Sequence, residues 1–314
     1  MTSRLSPTGA QWTISHGDQQ AVVVEVGGGL RSYEIGGVPV LAGFRADQAC
    51  VSGRGQVLAP WPNRLRDGKY TIGGVAEQLS LTEVARHNAS HGLVRWALWE
   101  LVRQESDTVE VRYRLHPQPG WRWFLDLGLV YALGDDGLQV TVSAHNRGDE
   151  PAPFGFAQHP YVATVGTEAA QVRLSIPGGT YMQVDPERLL PTGTASVDGT
   201  EYDFRQAREL GETSLDTAYT DLAREGERWR VIVAGGPIGP VAVWGGPGLD
   251  WVQVFSEKAA LPADGDQVPG VAVEPMSCPA DAFNSGTDLA MIAPGQTWQA
   301  QWGVSAYGGG NGEA

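Results

Sequence analysis

Gly134-Asp135-Asp136-Gly137-Leu138-Gln139-Val140-Thr141-Val142-Ser143-Ala144 is a turn signal followed by a run with a period of two. Successive side chains of an extended chain point to opposite sides. Leu138, Val140, Val142 and Ala144 therefore share one face, and Gln139, Thr141 and Ser143 share the other. The alternation predicts a strand with one buried face and one wet or ligand-lined face. The pattern recurs on both sides of this stretch. Val109, Val111, Tyr113 and Leu115 alternate with Glu110, Arg112 and Arg114. Trp298, Ala300, Trp302 and Val304 alternate with Gln299, Gln301 and Gly303. Further turn signals stand at Gly73-Gly74, Gly178-Gly179, Asp198-Gly199 and Gly235-Gly236-Pro237. Long helical periodicity is scarce, and only Tyr202 to Leu210 is expected to form a short helix or helical turn. The expected class is mainly all-β, a large antiparallel β-sandwich.

The 314 residues, 42% hydrophobic and 18% charged, suffice to bury a real core. No internal repeat or linker divides them. Residues 1–307 are expected to form a single domain, and the Gly-rich residues 308–314 a flexible tail. A formal net charge of −14 repels a phosphate backbone, so nucleic acid is not an expected partner. The same sign disfavours anionic membrane surfaces, and no apolar run approaches the ~20 residues of a membrane-spanning helix. Met1 to Trp12 has no apolar core of signal-peptide length, which makes the cytoplasm the expected compartment. Cys50 and Cys278 lie in no close Cys or His pair of zinc spacing and are expected to be buried free thiols.

Five segments carry chemistry. In Ala59-Pro60-Trp61-Pro62-Asn63-Arg64-Leu65-Arg66, two prolines stiffen the backbone ahead of an amide and two guanidiniums, donors suited to sugar hydroxyls. A solvated surface loop is the bland alternative. In Arg86-His87-Asn88-Ala89-Ser90-His91-Gly92, two histidines stand four apart, a metal-ligand spacing on a helix, but the Asn, Ser and Gly around them point to a loop. Gly92 would let the backbone approach closely. In Phe154-Gly155-Phe156-Ala157-Gln158-His159-Pro160-Tyr161, His159 follows an apolar run and is either a satisfied core histidine or a positioned acid. In Val271-Ala272-Val273-Glu274-Pro275-Met276, a lone glutamate ends an apolar run. Burying it unpaired is costly, so it is either in a structural ion pair or a catalytic carboxylate. In Ser214-Leu215-Asp216-Thr217, the aspartate either caps a turn or accepts hydrogen bonds from a ligand.

Taken in chain order, Asn63-Arg64, His91-Gly92, His159-Pro160-Tyr161, Leu215-Asp216 and Val273-Glu274 resemble the aldose 1-epimerase (galactose mutarotase) family. The resemblance runs from about Gln56 to Asn284. It implies the galactose mutarotase-like supersandwich fold with a sugar site in an open cleft. The implied activity is interconversion of the α and β anomers of a free aldohexose such as glucose or galactose, with no metal and no organic cofactor. It further implies Glu274 as base and His159 as acid, with Asn63, Arg64, His91 and Asp216 binding the monosaccharide. Trp61 or Trp96 would then pack against the apolar sugar face, although with eleven tryptophans in the chain a core position is the stronger expectation for each. The assembly is expected to be a monomer or homodimer. The chain departs from many relatives after His91, where Gly92 is followed by Leu93, and after Tyr161, where Val162-Ala163 stands. It departs again at the Glu274-Pro275 pair. These departures bear on sugar preference. The rival readings are a hexose-6-phosphate 1-epimerase drawing on Arg66, Arg86 and Arg95, and a non-catalytic carbohydrate-binding protein on the same scaffold.

Overall fold

A computed structural model describes residues 6–256 and 268–307. The expected tail at residues 308–314 lies outside the described residues. The stretch Leu138 to Ala144 falls in the strand Gly137–Asn146, which is paired antiparallel with Leu125–Gly134 through a hairpin in which Gly134 faces Gly137. Its burial alternates residue by residue. Thr297–Ala306 pairs on its other side. These strands form the middle of a nine-stranded sheet running from Glu100–Gln104 at one edge to Arg208–Glu209 at the other.

A second sheet, of twelve strands, begins at Gln11–His16 and passes through Val38–Leu41, Tyr161–Ala163, Gly270–Met276, Trp251–Phe255 and Asp216–Leu222 before ending at Pro191–Ser196. The pairings that build its centre are antiparallel. The two sheets share one apolar core. Ile14, Val23, Tyr33, Val271 and Val273 from one sheet pack in the same buried cluster as Val109, Leu129, Val140 and Trp302 from the other. Among the described residues the only α-helix is Ala282–Ser285, and no helix is long and apolar enough to cross a membrane. The architecture is the antiparallel β-sandwich expected from the alternation.

Three local expectations are corrected. Tyr202 to Leu210 is not helical. It is a chain of turns and bends that ends in the edge strand Arg208–Glu209. The Asp203 side chain accepts the backbone N–H of Arg205 at 3.2 Å, and the Phe204 carbonyl is taken by the N–H of Ile176 at 2.8 Å. An Asx turn and a tertiary hydrogen bond thus use the groups a helix would need. Gly178-Gly179 is not a turn but opens the strand Gly178–Val184, where a Cβ on Gly178 would lie 2.8 Å from the Cβ of Tyr219. Cys278 is buried and free as expected, whereas Cys50 is only half-buried.

Residues directly opposite each other on antiparallel strands share a face. Glu274 faces Gln253, Ala272 faces both Phe255 and Tyr161, and Asp216 faces Phe255. Val271 and Val273 point into the core. By the period of two, Glu274, Gln253, Phe255, Tyr161 and Asp216 lie together on the opposite face, the floor of a cleft.

Candidate active site

Two short strands roof one side of this floor. Arg64–Arg66 pairs with Asn88–Ser90, which brings Arg64 opposite Ser90. Asn63 and His91 flank the pair in left-handed conformations, with φ of 53° and 64°, and the N–H of His91 donates to the Asn63 carbonyl at 2.8 Å. Gly92 has φ +72°, and a Cβ there would lie 2.0 Å from the Ala59 carbonyl oxygen. Leu93 N–H donates to that same oxygen at 2.7 Å. The close approach anticipated at Gly92 is therefore between backbone segments. His87 is also left-handed, at φ 54°, so His87 and His91 do not share a helix face.

The cleft encloses about 250 Å³ and is lined by Asn63, Arg64, His91, His159, Asp216 and Glu274. All six candidate residues named from the sequence meet there. Ser52, Tyr161 and Phe255 complete the lining. The volume is small beside the ~300–1,000 Å³ of sites for drug-sized molecules and suits a single sugar ring. A larger crevice of about 700 Å³, beside Tyr33, Trp244 and Arg228, has no histidine in its lining.

Glu274 is 3% exposed and its Oε1 lies 3.2 Å from Nε2 of His159. Its Oε2 is buried with no protein partner, as is Nδ1 of His159. Burial raises the Glu274 carboxyl well above the usual carboxylate range. The nearby Asp216 carboxylate adds to the rise and the Arg64 guanidinium opposes it. Burial holds the His159 imidazole well below the ordinary histidine value, helped by the charges of Arg54 and Arg95. His91 is lowered as well, first by burial and then by His159 and the arginines around it. Both directions within the Glu274–His159 pair favour the neutral form of each group.

Arg64 is held rigidly. Its Nε and Nη2 donate to the two oxygens of Glu83 at 2.9 and 3.2 Å, and Nη1 donates to Asn63 Oδ1 at 3.3 Å. Nη1 also lies 3.8 Å from Asp216 Oδ2. Burial pushes the Glu83 carboxyl up, but the hydrogen bonds from Arg64 and Asn88 and the charges of Arg64 and Arg86 outweigh it, leaving Glu83 below its ordinary value. Asp216 does not cap a turn. It starts the strand Asp216–Leu222 and accepts a hydrogen bond from Gln253 Nε2 at 2.6 Å.

Neither tryptophan proposed as a sugar platform lines the cleft. Trp61 is a core residue, edge-on to Phe283 at 5.8 Å. Trp96 is exposed, with the Arg95 guanidinium 5.7 Å from its ring. Arg66, Arg86 and Arg95 do not line it either. Arg66 is paired with Asp281 and Arg86 with Glu83, each at 3.3 Å.

The sequence reading missed Glu83, Gln253 and Phe255. Gln253 carried the same signal as Glu274, a lone polar side chain inside the apolar run Trp251-Val252-Gln253-Val254-Phe255. Glu83 carried none, because its partner Arg64 is near it only in space.

A family model described as aldose 1-epimerase matches residues 10–305. Among curated proteins, the uncharacterized protein YihR of Escherichia coli is 31% identical over 290 residues, covering 92% of this chain and 91% of that protein. Human galactose mutarotase is 29% identical over 171 residues, 52% of this chain, and Escherichia coli aldose 1-epimerase is 28% identical over 177 residues, 54% of this chain. These matches span 48% and 49% of the two named enzymes, about half of each. Among solved structures, an aldose epimerase homologue from C. elegans superposes with a TM-score of 0.80 at 17% identity, covering 95% of this chain and 99% of that one. A galactose mutarotase-like protein from Clostridium acetobutylicum gives 0.77 at 17% identity, covering 93% of each chain. At these identities the structural matches speak for the fold, which is galactose mutarotase-like.

Proposed function

The chain belongs to the aldose 1-epimerase family, a family of isomerases, and on that premise we propose that it interconverts the α and β anomers of a free aldohexose such as glucose or galactose, without metal or organic cofactor. The observation that carries this reading is the 3.2 Å approach of His159 Nε2 to Glu274 Oε1 at the bottom of a sugar-sized cleft. Opening a pyranose removes the proton from the anomeric hydroxyl and delivers one to the ring oxygen. Both oxygens are bonded to the same carbon, so an acid and a base serving them must be close neighbours.

Glu274 acts as base on the anomeric hydroxyl and His159 as acid on the ring oxygen. The C1–O5 bond breaks, its electron pair takes the proton from His159, and the O–H pair of the hydroxyl becomes the carbonyl. Rotation about C1–C2 presents the other carbonyl face. The steps then reverse, so the pair ends with the single proton it began with. Opening carries the pair from carboxylate and imidazolium to carboxylic acid and imidazole, the neutral forms that burial favours. Asn63, Arg64, His91 and Asp216 hold hydroxyls and fix the ring between acid and base, an orientation effect. Phe255 and Tyr161 offer apolar surface that the two tryptophans do not.

A phosphorylated hexose is less well supported, because Arg66 and Arg86 are already paired with carboxylates. A purely binding protein needs neither an acid nor a base, whereas here a buried carboxyl and a buried imidazole stand 3.2 Å apart. Polarimetry of freshly dissolved α-D-glucose and α-D-galactose is the deciding experiment. Acceleration of the approach to equilibrium is expected, and failure with both sugars, alongside binding of either, overturns the reading.

The pH profile follows from the two directions. Activity is lost when His159 gains a second proton, far below the ordinary histidine value, or when Glu274 loses its proton, well above the ordinary glutamate value. kcat/KM is therefore expected to show no inflection from His159 near the ordinary ~6.5 of histidine. An inflection there, in buffered polarimetry, would mean that His159 is not shielded as described.

Arg64 touches hydroxyls in ground and transition states alike, so its binding is uniform. Arg64→Ala is expected to raise KM by about 10-fold or more, with kcat changed only a few-fold. Initial rates over a range of sugar concentrations check this, and a loss confined to kcat would assign Arg64 to the transition state.

A further inference from the structure

Beneath the cleft lies a group the mechanism does not use. Arg54 is 2% exposed and is not among the residues lining the cleft. Its Nη1 donates to the Ala42 carbonyl at 2.6 Å, while Nε and Nη2 are buried without partners. A buried guanidinium with two unsatisfied sides is a poor stabilising device, because its desolvation is not repaid by hydrogen bonds. Its surroundings suggest what it does. The guanidinium carbon lies 4.7 Å from the centre of the Tyr161 ring. That ring in turn stacks on the His159 imidazole, 5.0 Å between centres and 10° between planes.

The backbone around Arg54 wraps the same histidine. Tyr161 hydroxyl donates to the Ser52 carbonyl at 3.0 Å. The N–H of Gly55 donates to the His159 carbonyl at 2.8 Å. A Cβ on Gly53 would sit 3.1 Å from Cδ2 of His159, and φ there is +74°. The segment Ser52 to Gly55 thus grips His159 by its carbonyl, its ring edge and the ring stacked upon it.

We propose that Arg54 is a positioning residue for His159, acting through the Tyr161 ring it lies against and through the Ser52–Gly55 backbone it anchors. The proposal rests on the reading of His159 as the acid of the reaction. A fixed positive charge against the Tyr161 ring that stacks on the imidazole opposes a positive charge on His159. It keeps His159 poised to pass its proton to and from Glu274 rather than to collect one from solvent. Other groups face the imidazole too: Glu274 at 3.2 Å, the His91 ring at 5.9 Å between centres, and the charge of Arg95. Glu274 favours imidazolium, whereas Arg54, Arg95 and a protonated His91 oppose it. Removing Arg54 alone shifts that balance towards imidazolium.

The test is Arg54→Met, which keeps length and apolar contact, beside Arg54→Lys, which keeps the charge. In Arg54→Met the Tyr161 ring loses the support that aligns His159, and the expected result is a kcat lowered by roughly 10-fold with KM within about two-fold, because misalignment outweighs the easier formation of imidazolium; the lost charge moves the acid limb up by about one pH unit. Arg54→Lys is expected to return the limb to the parent position. The melting temperature of Arg54→Met should equal or exceed that of the parent. NMR titration of the His159 ring, identified by its absence from the His159→Asn spectrum, reads the same shift without catalysis. If the parent proves inactive but the ring titration still moves in Arg54→Met, the functional reading falls and the positioning role stands. If the parent is active and a folded Arg54→Met matches it in kcat and in the His159 titration, the positioning role falls and the functional reading stands. Should Arg54→Met not fold, Tyr161→Leu removes the intervening ring. An altered His159 titration in it supports the proposal, and an unaltered one overturns it.

Discussion

Glu274→Gln is expected to lower kcat by at least ~10²-fold while the protein stays folded, and His159→Asn to do the same, because each removes a group that must carry the proton. The glutamine keeps the shape and hydrogen bonding of the glutamate but cannot take a proton. The asparagine stays polar but does not titrate. Acid and base act as a unit through one 3.2 Å contact, so the double variant should be little worse than either single one. Folding is checked by circular dichroism and melting. Glu274→Gln should melt close to the parent, since a neutral amide of the same shape replaces a carboxyl whose neutral form burial favours. Near-parent turnover in a folded Glu274→Gln protein would remove Glu274 as the base.

Gly92→Ala is expected to be the most disruptive single methyl in the roof of the cleft. The added Cβ would lie 2.0 Å from the Ala59 oxygen and 2.4 Å from its carbonyl carbon, both main-chain atoms. Backbone cannot swing aside as a side chain can, and the residue is also held at φ +72°. Strain and overpacking together should cost at least ~2 kcal/mol, lowering the melting temperature by roughly 3 °C or more. The displaced neighbour is His91, so KM for the sugar should rise as well. Gly74→Ala is the control. It sits at φ +78° with open space around its would-be Cβ, and so isolates the conformational cost from the clash. Equal melting shifts in the two variants would show that the contact with Ala59 is dispensable.

The fold was legible where a strand has one wet face. Gly137–Asn146 alternates because its inner side meets the core and its outer side does not. Gly270–Met276 is buried along its whole length, so its sequence could not say which side faces the cleft. That information lies in the cross-strand register, which places Glu274 opposite Gln253. Tyr202 to Leu210 misled because Asp203 closes a turn at short range. The candidate residues were legible as chemistry out of place, such as a glutamate in an apolar run or an Asn-Arg pair behind two prolines. Their tethers were not, since Glu83 reaches Arg64, and Arg54 reaches Tyr161, only after folding. Trp61 took the core position that was the stronger expectation for any one of the tryptophans, because an aromatic ring beside a binding motif is equally at home there.

The strand Tyr161–Ala163 joins two remote stretches of chain, since Val162 faces Leu41 on one side and Val271 on the other. Such non-local pairing makes folding slow, because the entropy of closing long loops is lost before the contacts that reward it form. During synthesis the ribosome releases the first two of these strands well before the third, which carries Glu274. Until then the edge of Tyr161–Ala163 has no partner, and an open strand edge with apolar flanks invites pairing between chains. Refolding yield should therefore fall as protein concentration rises, and a nascent chain stalled before residue 270 should display His159 without the carboxylate that completes its site.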